Sequence, residues 1–424
     1  MAKVSVAEEA VEGQVWDEGY DVLMIAPTSF FSDYGGHIRI LEEARVLQRL
    51  GQRVTVLTYY KGHDMPGLEI IRTRPTPWRA DYEVGSSLHK LAFDLLLGWS
   101  GLKTVLRRRF DIVHGHMHEG ALVGYLLSRI LRVPLVFDFQ GSLTGEMVDH
   151  SFLSENGPWY PLVRLLERRI DLLADAVVTS SSRGAELLES EFDCRADRVF
   201  TLPDSVDLDC FRPNVLNRQE IAARKAALGI PEGRPVVVYL GLLADYQGTS
   251  LLVQTAKELL GRGVDVHFLV MGFPGEGHYQ LMADELGVGD RMVFTGKIPY
   301  EEAPAHLALG DIAIAPKLSE TEGAGKILNY MAMELPTVAL DNPVSREYLA
   351  DLGVYADPSG GPVALADAIA SLLRTPRRRE KLGTALRQLA GHRFSWDSTG
   401  QILVDVHRSL LVDRCRPARK ARTE

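Results

Sequence analysis

Short apolar runs alternate along this chain with longer stretches whose apolar residues recur every three or four positions. The runs Asp21–Ala26, Arg53–Tyr59, Leu68–Arg72, Asp111–His114, Pro134–Asp138 and Ala176–Ser180 predict strands. Between most of them lie helical stretches, such as His37–Leu50. The second half restarts the pattern with Pro235–Leu240, Val264–Met271, Met292–Thr295, Asp311–Ala315 and Thr337–Leu340. Short β-rich runs separated by helices predict βαβ units, hence parallel sheets covered on both faces.

The alternation breaks at LPDSVDLDCFRP, Leu202–Pro213, where prolines and aspartates crowd together. This predicts an interdomain hinge. The organisation read from the pattern is a flexible extension at 1–20, a first Rossmann-like domain at 21–212, a second at 213–395, a last helix at 396–412 and a basic tail at 413–424. Ligands of open α/β sheets sit beyond the carboxyl ends of the strands. Two such edges facing one cleft predict a two-substrate enzyme whose halves close. Two independent domains on a linker are the alternative.

Composition removes several classes. Of 424 residues, 46% are hydrophobic and 24% charged, so the chain is globular rather than disordered. A formal charge of −9 supplies no global field for nucleic acid. Cys194, Cys210 and Cys415 are scattered and odd in number, which argues against a disulfide framework or a cysteine zinc site and fits a cytoplasmic protein. No apolar run reaches the ~18 residues of a membrane span. The first twenty residues lack an apolar signal core, so export is not expected. GxGxxG after the first strand, GxxxxGK[ST], HExxH and GxSxG are all absent from the sequence.

The candidate chemistry collects at the predicted strand ends. Gly35-Gly36 opens the first helix, with His37 and Arg39 in its first turn. A helix start exposes unpaired N–H groups, and glycine lets an anion approach them. A diphosphate or acceptor contact and a plain tight turn both fit. In DIVHGHMHEG, His114, His116 and His118 alternate and would share one face of an extended chain. Metal binding is one reading. A hydrogen-bonding cleft residue or proton shuttle, with His114 in the core, is the other. Asp138 and Gln140 share a face in VFDFQG. In the second half, a loop with Lys317, Glu320, Glu322, Gly323 and Gly325 leads into a helix starting near Lys326, with Asn329 about one turn on. Such a loop suits a phosphate, and its carboxylates and amide suit sugar hydroxyls. A solvated acidic loop is the bland alternative.

The ordered set of segments resembles the retaining, nucleotide-sugar-dependent glycosyltransferases of family 4, which have the GT-B fold. The segments are GG before the first helix, LQRLGQRVTVLT, DIVHGH, ADAVVTSSS, LPDSVDLDCFRP, VVVYLG, FLVMG, VFTGKIPYEE, KILNYMAMELPTVA and FSWDS. The resemblance covers the chain from about Asp21 onward. It implies two doubly wound domains facing a central cleft, with the last helix crossing back to the first domain. It implies sugar transfer from a nucleotide diphosphate to a glycan or lipid-linked acceptor, with no metal and no cofactor. It places the donor mainly on the second domain and the acceptor mainly on the first. By position, Gly36 matches a diphosphate contact, His116 the cleft histidine, Asn329 the acid on the ribose, and Gly323–Gly325 the donor cradle.

The carried-over set is His116, Lys326 and Glu322 as catalytic groups. Gly35, Gly36, Gly241, Gln247, Lys297, Glu320, Gly323, Gly325 and Asn329 fall on the donor side, and His118, Gln140 and Arg39 on the acceptor side. Three family charges are missing. GLLADYQG puts Leu242 and Gln247 where the family has arginine and lysine, and the usual pair of glutamates becomes Thr321 and Asn329. Lys326, Lys317, Arg39 and Lys297 are candidate replacements. A catalytically silent GT-B protein that binds a sugar nucleotide or partner is the alternative, followed by an epimerase or phosphorylase. Residues 88–109, leucine-rich with Trp99 and ending in three arginines, predict either peripheral contact with the inner face of a membrane or a helix packed on the sheet.

Overall fold

The structure, a computed structural model, describes residues 19–32, 35–75, 88–149, 152–318 and 324–415. Its strands form two sheets. The first contains β1 (Asp21–Ala26), β2 (Arg53–Thr58), β3 (Glu69–Arg72), β4 (Ile112–His116), β5 (Leu135–Phe139), β6 (Ala176–Thr179) and β7 (Val199–Thr201), in the order β3-β2-β1-β4-β5-β6-β7. The second contains β8 (Val236–Leu240), β9 (His267–Met271), β10 (Met292–Gly296), β11 (Ile312–Ala315), β12 (Thr337–Leu340) and β13 (Val354–Ala356), in the order β10-β9-β8-β11-β12-β13. All of these strand pairs are parallel. Both sheets reverse direction at their first strand, between β1 and β4 and between β8 and β11. These are the switch points where crevices open in doubly wound sheets.

The alternation of side chains across β1 builds two cores. Val22 and Met24 join Ile40, Leu41 and Leu47 of α1 (Gly35–Arg49). Leu23 and Ile25 join Phe93 and Leu97 of α2 (Leu88–Val105) and Leu127 of α3 (Met117–Leu131). Every residue of β4, β5 and β9 is buried, as strands covered on both faces require.

The last helix, Trp396–Cys415, returns to the first domain and lies on α1. Gly400 makes that crossing close, because a Cβ there would stand 2.2 Å from Val46. Tyr20 Oη and His407 Nδ1 hydrogen-bond at 3.1 Å on the same face. The chain passes between the sheets twice, and the passes touch: Val206 N–H donates to the Phe394 carbonyl at 2.9 Å. No helix among the described residues is long and apolar enough to cross a membrane.

Two features differ from the sequence reading. The strands β7 and β13 are edge strands of three residues, too short to show a period. The fourth strand runs on to His116, and the helix starts at the next residue, so His118 leaves the strand.

Candidate functional site

The site grows from the ends of β1, β4 and β5. Pairing in register sets His116 of β4 opposite Asp138 of β5. The His116 Nδ1 lies 2.9 Å from the Asp138 Oδ2. Gln140, two residues on, donates from Nε2 to the same oxygen at 2.8 Å. Arg39 reaches down from α1 and donates to Asp138 from Nη2 at 2.8 Å and from Nε at 3.1 and 3.2 Å. It also holds the Leu202 carbonyl at 3.1 Å and Asp204 at 2.8 Å, and pairs with Glu43 at 3.0 Å.

Burial alone would keep Asp138 protonated, but the Arg39 charge and the hydrogen bond from His116 outweigh it and hold the carboxyl far below its usual range. Asp138 is therefore ionised, and the His116 Nδ1–H donates to it. The His116 Nε2 is buried and meets no hydrogen-bond partner among the described residues. Glu43 goes the other way. Burial and the Asp138 charge raise its carboxyl well above the usual range despite Arg39.

Arg39 thus sits where its guanidinium is committed to three carboxylates. It is a buried organising charge, not the open acceptor-side or diphosphate cation that the sequence suggested. His118 also moves. Met117 takes φ 58°, which ends the strand alternation and turns the third histidine to the other side of the sheet. There it lies 3.3 Å from Asp171 and 3.7 Å from Glu167, against the rings of Phe137 and Phe139. Burial opposes its protonation, but Asp171 and Glu167 prevail and raise it. His114 and His116 do share a face, stacked at 4.6 Å, and both are fully buried rather than open to a cleft.

His37 packs inward as well. Its Nδ1 accepts from the Ser32 N–H at 2.8 Å, so its Nε2–H faces the Thr28 hydroxyl. Burial, then the charge of Lys297, lowers it to about 3. That effect brings Lys297, which follows β10 in the second domain, near the start of α1. Gly36 lies at the helix start beside Gln140, whose Oε1 would be 3.0 Å from an added Cβ.

On the second domain the candidates converge. The Lys326 ammonium donates to the Gln247 Oε1 at 2.9 Å and the Tyr239 hydroxyl at 3.1 Å, and stands 4.4 Å above the Tyr239 ring. Gly241, at φ 142°, opens the space: a Cβ there would be 2.8 Å from the Lys326 Nζ. Lys326 begins the helix Lys326–Ala332, and Asn329 is half-buried one turn on. Gly325 faces the first domain, its Cβ position 3.7 Å from the Asp204 carboxylate. Lys317 is buried, and Leu242 lends its carbonyl to the Tyr239 hydroxyl at 2.7 Å. Lys297 lies 5.4 Å from the centre of the Phe273 ring. Glu320, Glu322 and Gly323 lie outside the described residues.

Two clusters gather three potential metal ligands each, Glu43–His114–His116 and His118–Glu167–Asp171. Each already has a guanidinium against a carboxylate, Arg39 on Glu43 and Arg164 on Glu167. These supply the positive charge a metal ion would bring.

Sequence reasoning missed Asp204, Glu43, Tyr348 and His407. Asp204 accepts from Arg39 and from the Tyr348 hydroxyl of the second domain, the latter at 3.1 Å, so it ties the two halves. The only signal was its place in the proline-bounded hinge.

Residues 35–204 match the family model described as glycosyl transferase 4-like domain, and residues 220–389 match that of glycosyl transferases group 1. The chain is 28% identical over 336 residues to the alpha-D-kanosaminyltransferase of Streptomyces kanamyceticus, covering 75% of this chain and 84% of that one. It is 32% identical over 269 residues to the GDP-mannose-dependent alpha-(1-6)-phosphatidylinositol monomannoside mannosyltransferase of Mycolicibacterium smegmatis, covering 62% and 68%. The fold matches the sucrose-phosphate synthase structure from Thermosynechococcus elongatus with a TM-score of 0.77 at 18% identity, over 93% and 100% of the two chains. With both family models falling in order on two doubly wound sheets, the chain belongs to the family 4 glycosyltransferases of GT-B fold.

Proposed function

We propose that this enzyme moves a sugar from a nucleotide diphosphate sugar to a hydroxyl of a glycan or lipid-linked acceptor, with retention and without a metal ion. The bond from the anomeric carbon to the diphosphate oxygen breaks, and the acceptor oxygen takes its place. The acceptor proton leaves with the departing phosphate or to solvent. Negative charge grows on the diphosphate as the bond breaks, so the protein must meet it with fixed positive charge and N–H groups.

The observation that carries this reading is the contact between Lys326 and Gln247. Family members have a lysine at the position of Gln247. Here the side chain at 247 is neutral, but an ammonium from the next helix sits on its carbonyl. One lost charge is thereby replaced from a different part of the chain. This answers part of the case for a silent protein, which rested on Leu242, Gln247 and Asn329. The N–H groups at Gly35-Gly36 face the same diphosphate in this scheme. His116, held by Asp138, lies buried beneath this end of the sheet and supports the site from below. The relatives' names fit the substrate class: one depends on GDP-mannose and is named for a phosphatidylinositol monomannoside.

Thermal unfolding with UDP, GDP, ADP and their sugar conjugates tests the proposal. A diphosphate at 100 times its Kd adds about 2.7 kcal/mol. We expect one base to stabilise the protein and Lys326→Ala to abolish the shift. NMR of the product's anomeric proton reports retention, and turnover in EDTA reports metal independence. If no nucleotide diphosphate binds and none is released from any conjugate, the reading fails.

A further inference from the structure

Helices on a sheet ordinarily bury their apolar side and show water their polar side. Three neighbouring helices of the first domain depart from this. α2 and α3 lie side by side, and α3 adjoins α5 (Tyr160–Asp171). On α2, Phe93 and Leu97 are buried, yet Leu91, Leu95 and Trp99 recur every four residues on the outer side and are 64%, 77% and 56% exposed. The outer side of α3 repeats the device with Leu122, Leu126 and Ile130. Leu162 and Leu166 continue it on α5. Of the 19 large exposed hydrophobic residues among the described residues, 13 fall between Leu91 and Leu172, so the apolar surface is concentrated on this layer rather than scattered.

The charges of these three helices themselves are one-sided at the surface, although Arg168 pairs with the exposed Asp193 beside them. Arg107 and Arg109 follow α2, Arg129 and Arg132 lie at the end of α3, and Arg168 and Arg169 end α5, all exposed. The acids of these helices are Asp94, Glu119, Glu167 and Asp171, and none is exposed. This holds in a chain whose formal charge is −9. Lys103 stands 4.9 Å from the Trp99 ring and Arg129 4.9 Å from the Tyr125 ring, which pairs amphipathic rings with cations at the rim.

We propose that the outer face of α2, α3 and α5 docks on an anionic lipid bilayer, the leucines and Trp99 entering the headgroup boundary while the arginines meet lipid phosphates. A second copy of the chain fits less well, since the exposed carboxylates beside this layer, Glu191 and Asp193, are already paired with Arg164 and Arg168 of the same chain. α3 begins directly after His116, so docking would hold the first-domain site close to the lipid surface. The inference stands on this face alone and does not depend on the donor reading.

Flotation with vesicles of equal parts phosphatidylcholine and phosphatidylglycerol tests it. We expect the wild type to float with these and stay behind with pure phosphatidylcholine. The triple variant Leu95→Glu, Leu126→Glu, Leu166→Glu should lose about tenfold or more in partitioning. Arg107→Gln with Arg109→Gln should also weaken it about tenfold. Leu281→Glu, an exposed apolar residue of the second domain, should leave it unchanged. Unchanged thermal midpoints show that the variants fold. Failure of the wild type to float overturns the proposal, as do equal binding to both vesicle types and flotation of the triple variant at the wild-type level. A dimer in sedimentation velocity that the same substitutions dissociate, without flotation, overturns it in favour of a second copy.

Discussion

The two halves of the site are built on opposite principles. Around His116 the groups are sealed: Arg39, Glu43, His114 and Asp138 are all buried, and one guanidinium serves three carboxylates. Around Lys326 the described partners are uncharged, a buried amide and a buried phenol, and Gly241 leaves the space for the half-buried ammonium. A buried ion network is costly to break, because removing one partner strands a charge in low dielectric. Hydrogen bonds from an ammonium to an amide and a phenol leave no charge stranded when the neutral partner is removed. The first domain thus spends its charges on fixing one histidine, whereas the described partners of the second domain's cation are neutral. Substitution should therefore separate the two: stability suffers on one side and turnover on the other.

The largest effect is expected for Arg39→Met. It keeps the bulk of the side chain but leaves Asp138, Glu43 and Asp204 without their cation. Loss of one partner from such a network costs about 3–5 kcal/mol, to be read from urea unfolding. A loss below about 1 kcal/mol, the size of a surface pair, would show that the network is solvated and that the contrast is false. Lys326→Ala should do the reverse. Removing one electrostatic contact to a developing charge costs about 2.7–4 kcal/mol of activation free energy, or about 100- to 1000-fold in kcat. Its unfolding free energy should stay within about 1 kcal/mol of the wild type. Gln247→Leu should fall between, displacing the ammonium without deleting it, and about tenfold in kcat/KM is expected.

What could be read beforehand follows from range along the chain. The eleven expected strands all appear, because each carries its signal within a run of four to eight neighbouring residues. The start of α1 at Gly35-Gly36 was legible for the same local reason. The partners of the site residues were not. Arg39 meets Asp204 across 165 positions and Tyr20 meets His407 across 387, and no pattern in a single sequence links them. His118 was misplaced because one residue, Met117, adopts a left-handed φ that strand alternation does not foresee. The shift of charge from position 247 to Lys326 was legible only as a list of candidate cations. Choosing among them took the geometry that buries Arg39 and Lys317 and leaves Lys326 beside Gln247.

The sealed half should also betray itself in acid, and here the expected effect per group is smallest. His37 and His407 are lowered to about 3, and His114 well below its usual value, each chiefly by burial. In the unfolded chain all three take up protons near pH 6.5. Between that pH and about 3 the unfolded state therefore binds more protons, and stability falls as the pH drops. Each histidine contributes a limiting slope of about 1.4 kcal/mol per pH unit. His407→Leu loses the bond to Tyr20 and should be less stable at pH 7, yet its stability should fall less steeply between pH 6 and 5, by about one proton's worth of slope. Urea unfolding at several pH values measures this directly. Equal slopes in variant and wild type would mean that His407 becomes protonated in the folded state, and that water reaches the interior between the last helix and β4. No histidine lies beside Lys326 in its described contacts, so Lys326→Ala should leave the slope unchanged.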